Sequence, residues 1–562
     1  MRRIVSWMIL ALFLLGTFTL AFNVGLVHAQ AESTVYINSN GSVSPSDAPI
    51  SSVDNVTYTF TGNISYPAYF GVVIERSNIV IDGNGYTVQG NYTTGQLVPK
   101  FGAYDNSLGL SLVDTSNVTI KNANIKGFHF GIVLRDSNNT VIKGNDVTAN
   151  FYGIVLNSSP SDVVSGNSVT TNEHGIYLYS SSNDTVSGNN ATLNSDGIDL
   201  YSSSDNNTVS GNSATLNIGY GIYLDHSSSN TVSGNSATLN NGDITVGISS
   251  NNNTVSGNDA TGGVTGIWVN SYNNTVSGNN ATANYYGIEL DFSSNNIVSG
   301  NNVTANRYYG IYLYVSSNNT IYNNNFIGNV AQASADPASI GNTWDNGYPS
   351  GGNYWSDYNG TDLHSGLFQN VTGSDGIGDT PYVIDANNTD DYPLMGMFSD
   401  FSVAEGVDVQ IVSNSTVSDF QFNGTAILFN VSGTNGTTGF CNVRIPTSLL
   451  NGTLTVLVNE TQVQYSLLPS SNSTQTYLHF TYGHSTEHVI IMRARSVSQG
   501  ITYIVPIVTA VVIVIAAIAF GVVAVVRRGR KRRPLDVPAL SLYGRGLASA
   551  GDSKAHQTLK TL

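Results

Sequence analysis

The chain has 562 residues, 10% of them charged and 40% hydrophobic, with 57 Gly, 31 Tyr and one Cys. Its formal charge is −16, but the basic residues crowd the two ends, so residues 31–500 hold 10 Lys and Arg against 35 Asp and Glu. That balance excludes a nucleic-acid partner, because so acidic a surface repels phosphates; the richness in Asn, Ser, Thr and Gly is unsuited to a helical protein, and lone Cys441 excludes an intrachain disulfide framework or a Cys-based metal cluster.

Arg2 and Arg3 precede an apolar run from Ile9 to Val27, and Ala29 and Ala31 flank Gln30. This layout predicts a secretory signal peptide over residues 1–30. Beyond it a tetrad Gly-Ile-X-Leu starts at Gly131, Gly153, Gly175, Gly197 and Gly221, then at Gly266, Gly287 and Gly310, with Asp243-Ile244-Thr245-Val246 filling the missing slot. A period near 22 residues signals a solenoid. Each repeat also carries a second apolar segment, such as Thr208-Val209-Ser210-Gly211-Asn212, and a third, such as Ala191-Thr192-Leu193-Asn194. Three alternating segments in 22 residues leave no room for a helix, so an all-β solenoid with an N-terminal cap is expected over 31–330.

If successive coils stack at the strand spacing of ~4.8 Å, Ile132, Ile154, Ile176, Ile198, Ile222, Ile267, Ile288 and Ile311 form one apolar column and Leu134 to Leu313 another. Asn145, Asn167, Asn189, Asn212, Asn235, Asn258, Asn279 and Asn301 recur just after a Gly and are expected to form a structural ladder. Less regular coils precede, as in Ser77 to Gly85 and Ser116 to Asn122. On these residues, over roughly 70–395, the chain resembles the NosD-like branch of the right-handed parallel β-helix proteins with carbohydrate-binding and sugar-hydrolase repeats. The resemblance implies a right-handed β-helix and a surface protein.

Residues 331–398 break the repeat with Trp344, Tyr348, Tyr354 and Trp355, then Asp375-Gly376-Ile377-Gly378-Asp379. The pairing looks like the closing segment of NosD-like surface proteins, whose aromatic residues would cover the open end of the solenoid. Relatives carry a longer Asp-rich calcium loop at the second element, which makes Asp375 and Asp379 candidate calcium ligands, with a plain Gly-Asp turn as the alternative. From 399 to 495, short alternating strands such as Val407 to Val412 and Thr453 to Val458 predict a small β-sandwich. Residues 501–526 carry no charge and are long enough for a transmembrane helix, and the basic block 527–533 opens a cytoplasmic tail over 527–562. The expected topology is a single-pass cell-membrane protein with its bulk outside. Many Asn-X-Ser/Thr triplets permit glycosylation, although the repeat itself demands the same residues.

If Ile and Leu of the tetrad face inward, the X residue and the residue after Leu face solvent. That puts Tyr177, Tyr179, Tyr201, Tyr223, Trp268, Tyr312 and Tyr314 outside as candidate glycan-stacking rings, beside Asp199, Asp225, Glu289 and Asp291. Ordinary cross-strand stacking explains such rings equally well. The same four carboxylates are the candidates for catalysis, were the protein a polysaccharide hydrolase, lyase or epimerase. Asn194-Ser195-Asp196-Gly197-Ile198-Asp199 resembles the Asn-Thr-Asp-Gly-Xaa-Asp motif of polygalacturonases, but their Gly-His-Gly and Arg-Ile-Lys elements are missing. Between Lys143 and Arg307 there is no Lys or Arg to serve as a base or charge clamp. Copper, which the NosD name suggests, favours His, Cys and Met; His129, His174, His226 and His364 are scattered, while His484 and His488 fall in a predicted strand, on one face. A surface glycan-binding or structural protein is the leading expectation.

Overall fold

The computed structural model describes residues 33–67, 69–92 and 107–494. The signal peptide, the membrane span 501–526 and the basic tail expected from the sequence lie outside these residues. Among the described residues, regular structure is entirely β, and no helix is long and apolar enough to cross a membrane.

Three sheets of 14, 13 and 13 strands run the length of a parallel solenoid, each coil giving one strand to each sheet. The Gly-Ile-X-Leu tetrads build the first sheet, from Ser33–Ile37 to Ala331–Ala335. Register follows the sequence period: Ile154 pairs with Ile132 on one side and Ile176 on the other, and Leu156 with Leu134 and Leu178. These columns are fully buried and fuse with Val and Ala columns from the other two sheets into one continuous core. The solenoid extends past the predicted end at 330, because Ala331–Ala335 pairs with the strand Tyr309–Tyr314 and Tyr354–Trp355 pairs with Asn325–Ile327.

Four polar columns line the corners inside that core. In the first, Asn145 donates its side-chain N–H to Asn167 Oδ1 at 3.0 Å, Asn167 to Asn189 at 2.9 Å, and so on to Asn324 and Asn353. A second runs from Asn150 through Asn172, Asn194 and Asn217 to Asn329. A third starts with Asp162 and Asp184 and continues as Asn from Asn207 to Asn342, and a fourth is built of Ser from Ser137 to Ser339. Along the Asn and Asp columns each side-chain oxygen also accepts a backbone N–H of the coil before, so those corner donors are met in an interior where an unmet donor costs about 1–3 kcal/mol.

Each Asn column ends on a purpose-made acceptor. Asn353 N–H donates to Asp390 Oδ2 at 2.7 Å, Asn329 to Gln332 Oε1 at 2.8 Å and Asn342 to Asn388 Oδ1 at 3.2 Å. The same residues seat the lid: Trp355 Nε1 donates to Asp390 and Trp344 Nε1 to Asn388. Trp355 stacks on Phe326 at 4.5 Å, and Tyr382 stacks on Trp355 at 4.3 Å, so rings cover the last coil. Residues from Met397 onward form two five-stranded antiparallel sheets around a separate core that includes Val409, Ile427, Phe480 and the buried Cys441, whose thiol burial pushes up to about 11.

Candidate functional site

On the solvent face of the first sheet the X residues form a column, Val155, Tyr177, Asp199, Tyr223, Thr245, Trp268, Glu289 and Tyr312. The residues after Leu form a second, with Tyr179, Tyr201 and Asp225 adjacent. A third column lies before the Gly: Phe130, Tyr152, His174 and Asp196 pair in sequence, with Tyr220 in the next coil and Tyr286 and Tyr309 further along. Strict alternation from Ile would turn these side chains inward. The chain bends at the Gly instead, leaving its neighbour on the outer face, where the His174 and Tyr177 rings lie 5.5 Å apart.

The three columns meet in a patch spanning Tyr152 to His226. His174 Nδ1 sits 2.9 Å from Asp199 Oδ2 and 3.6 Å from Asp196 Oδ2, while Asp196 Oδ1 accepts the Tyr220 backbone N–H at 2.9 Å. One coil on, His226 Nδ1 lies 2.9 Å from Asp225 Oδ2. Burial opposes protonation of His174, but the hydrogen bond and charge of Asp199, with Asp196 and Glu173 beyond, outweigh it and raise its pKa. Asp199 is itself pushed up to about 6 by burial, with the His174 contact pulling it down. The two groups thus compete for a proton across the 2.9 Å contact.

The expected open row of carboxylates is therefore corrected. Asp199 is 3% exposed and Asp225 7%, each against its own histidine. Tyr152 stacks on His174 at 4.9 Å, and Phe130, Val133 and Val155 form an apolar cluster beside them. The aromatic residues divide into two groups. Tyr177, Tyr179 and Tyr201 lie nearly parallel, with centroids 6.1–6.4 Å apart, and Tyr223 stacks on Tyr220 at 4.4 Å. Further along, Tyr312 packs against Tyr286 and Tyr309, with exposed Tyr314 beside it. Between the groups Trp268 is half-buried, its Nε1 without a partner. Glu289 accepts the Thr265 hydroxyl at 3.1 Å; burial raises its pKa and that of Asp291.

Asp375 and Asp379 act as turn acceptors. Asp375 takes N–H groups of Ile377, Gly366 and Gln369, and Asp379 those of Leu363 and His364, so both carboxylates tie together the loops of this segment. His484 and His488 do not share an exposed strand face. His484 lies in the turn before the strand Thr486–Arg493, buried against Ser415 and Thr437, while His488 is exposed.

The family described as periplasmic copper-binding protein (NosD) matches residues 70–242 and 217–360, together just over half of the chain. The chain belongs to the NosD family. No curated protein matches this NosD-family chain. Solved structures similar to it include a mutant of the periplasmic alginate epimerase AlgG (TM-score 0.38, 16% identity, covering 51% of this chain and 80% of that one). The Dettilon tailspike protein is similar at TM-score 0.34 and 14% identity, over 75% and 79% of the two chains. DFA-IIIase from Arthrobacter chlorophenolicus A6 is similar at 0.36 and 14%, over 50% and 74%. Likeness at this level carries no inference about chemistry.

The family's metal fits the described residues poorly. Among them, one group of three potential ligands comes together, His174, Asp196 and Asp199. It offers one imidazole nitrogen, already held by Asp199, and two carboxylates, with none of the sulfur that copper(I) selects. The lone Cys is sealed in the sandwich core.

Proposed function

We propose that this protein is a membrane-anchored, cell-surface β-helix that binds envelope glycan on the solvent face of its first sheet. The carrying observation is the set of near-parallel rings of Tyr177, Tyr179 and Tyr201, with Tyr201 open to solvent, beside the His174–Asp199 and His226–Asp225 pairs. Flat rings pack on the apolar faces of sugars, and adjacent histidine–aspartate pairs donate to and accept from hydroxyls. The NosD family membership supports an extracytoplasmic setting. The apolar run 501–526 followed by six basic residues supports a single anchor with its C-terminus in the cytoplasm.

The test is retention of the full-length protein on insoluble cell-envelope glycans. Tyr179→Ala with Tyr201→Ala is expected to lower retention at least tenfold while the melting temperature stays put. Retention that ignores both substitutions, or no retention on any glycan, overturns the reading.

A second reading, glycan turnover, is favoured by the raised pKa of Asp199 and by its diagonal relation to Asp225, one coil and two residues away. That offset is roughly 8 Å between backbone positions, from strand spacing and rise, a spacing from which the two carboxyl groups can reach the separation of about 6.5–9.5 Å used by inverting glycosidases. New reducing ends or unsaturated products from a polysaccharide panel, lost in Asp199→Asn, would establish it. A silent panel would remove it.

A further inference from the structure

Just beyond the third sheet, every coil turns a corner through one residue in the left-handed region. Leu193, Leu216 and Leu239 occupy that slot on successive coils, at φ 58–60°, and each is about half exposed, forming a ridge. The ridge stops at Gly262, and the next two coils carry only Ala283 and Ala305. An open notch of about 410 Å³ results, bounded by Leu239, Gly262, Gly263, Val264, Tyr285 and Arg307. That volume lies in the range of small-molecule sites, roughly 300–1,000 Å³.

The wall contributed by Arg307 is chemically singular. It is the one Lys or Arg between Lys143 and Arg444. It is exposed, and among the described residues no ion pair includes it. Tyr285, also exposed, presents a ring held in place by stacking on Tyr308 at 5.1 Å. A planar fork of donors beside a braced aromatic ring is the pairing that recognises a carboxylate on a sugar. The acidic surroundings set the limit on charge, since a polymer anionic at every residue would be repelled.

We propose that this notch is a subsite for one acidic sugar, a carboxylate-bearing pyranose within an otherwise neutral glycan. Arg307 pairs with the carboxylate, and Tyr285 packs on the ring. Tyr285 and Arg307 lie four and five coils from Asp196, ~19 and ~24 Å at the strand spacing, so the site goes beyond the tyrosine patch proposed above.

The full-length protein in detergent is titrated with methyl β-glucuronoside, methyl β-glucoside and acetate, binding being read by saturation-transfer NMR. The glucuronoside is expected to bind at least tenfold more tightly than either of the others at low salt, and the preference to fall below twofold in Arg307→Gln. Gly262→Leu fills the notch, at φ 77° against 58–60° for the ridge leucines and with its Cβ 2.9 Å from the flexible end of Leu239, and is expected to abolish the preference. Equal affinity for the two glycosides, equal binding of acetate, or a preference that survives Arg307→Gln overturns the proposal. Acid preference that persists in Tyr179→Ala/Tyr201→Ala, together with retention on insoluble glycan that is the same in that variant as in the wild type, would sink the tyrosine patch alone.

Discussion

The most irregular repeat shows how single residues hold the register. The Gly of each tetrad leaves space that the Asn of the following coil fills: a Cβ at Gly197 would lie 2.9 Å from Asn217 Nδ2. Where that following Asn is replaced by Gly263, the tetrad Gly is replaced by Asp243, and its carboxylate accepts both N–H groups of Asn240 at 3.0 and 2.9 Å in place of the missing side chain. The two exceptions are one compensated exchange. Asp243→Gly alone should leave Asn240 unsatisfied and cost about 1–3 kcal/mol, Gly263→Asn alone should collide with Asp243, and the double variant should recover most of the loss in a thermal-melt cycle. Buried acids elsewhere in the ladders make stability respond to pH. Asp162 stands where later coils have Asn, its Oδ2 has no partner, and burial pushes its pKa up to about 8. A raised folded-state pKa means the stabilisation is complete below the unfolded value near 3.8 and is lost as pH rises through about 8. Asp162→Asn should therefore add on the order of 1–3 kcal/mol of stability at pH 8, read as a higher melting temperature, and flatten the decline between pH 5 and 8.

Among the elements, the lid is the most demanding junction, because the last coil exposes both an apolar cross-section and three rows of donors. Trp355 addresses the two needs together, stacking on Phe326 while its N–H joins Asn353 on Asp390. Trp355→Ala is expected to destabilise by about 3–5 kcal/mol, measurable by denaturant unfolding and by new binding of an apolar dye. The role of Trp and Tyr as a cover was legible in the sequence, as were the Ile and Leu columns, since a period near 22 admits few other arrangements. The Asn150, Asp162 and Ser137 columns carry the same period but are harder to see, because Asn and Ser are common throughout this chain. His174 and Asp196 were hidden for a geometric reason: counting by twos from Ile176 assigns them to the core, and the bend at Gly175 reverses that. A His and an Asp in a supposed core position were the available signal. The burial of Asp199 was not legible either, because the period says which way a strand residue points but not which neighbouring rings lean over it.

For the molecule as a whole, stability is distributed along the stack, with each coil bonded only to the coils before and after. Deleting residues 208–230 removes one whole coil, joins Asn207 to Thr231 and sets Thr231 beside Thr185 in the register their neighbours already use. That variant should fold with a melting temperature within ~5 °C of the parent, whereas deleting only 208–218 should abolish the cooperative transition by bringing unlike segments into contact. The Asn rungs accept one neighbour and donate to the next without regard to how many follow. Misaligned recombination between repeats in the gene would therefore yield taller or shorter columns that still close on the same Trp-lined lid. The reach of the protein is thus a quantity that selection can adjust in fixed increments, separately from whatever the tyrosine face and the Arg307 notch hold.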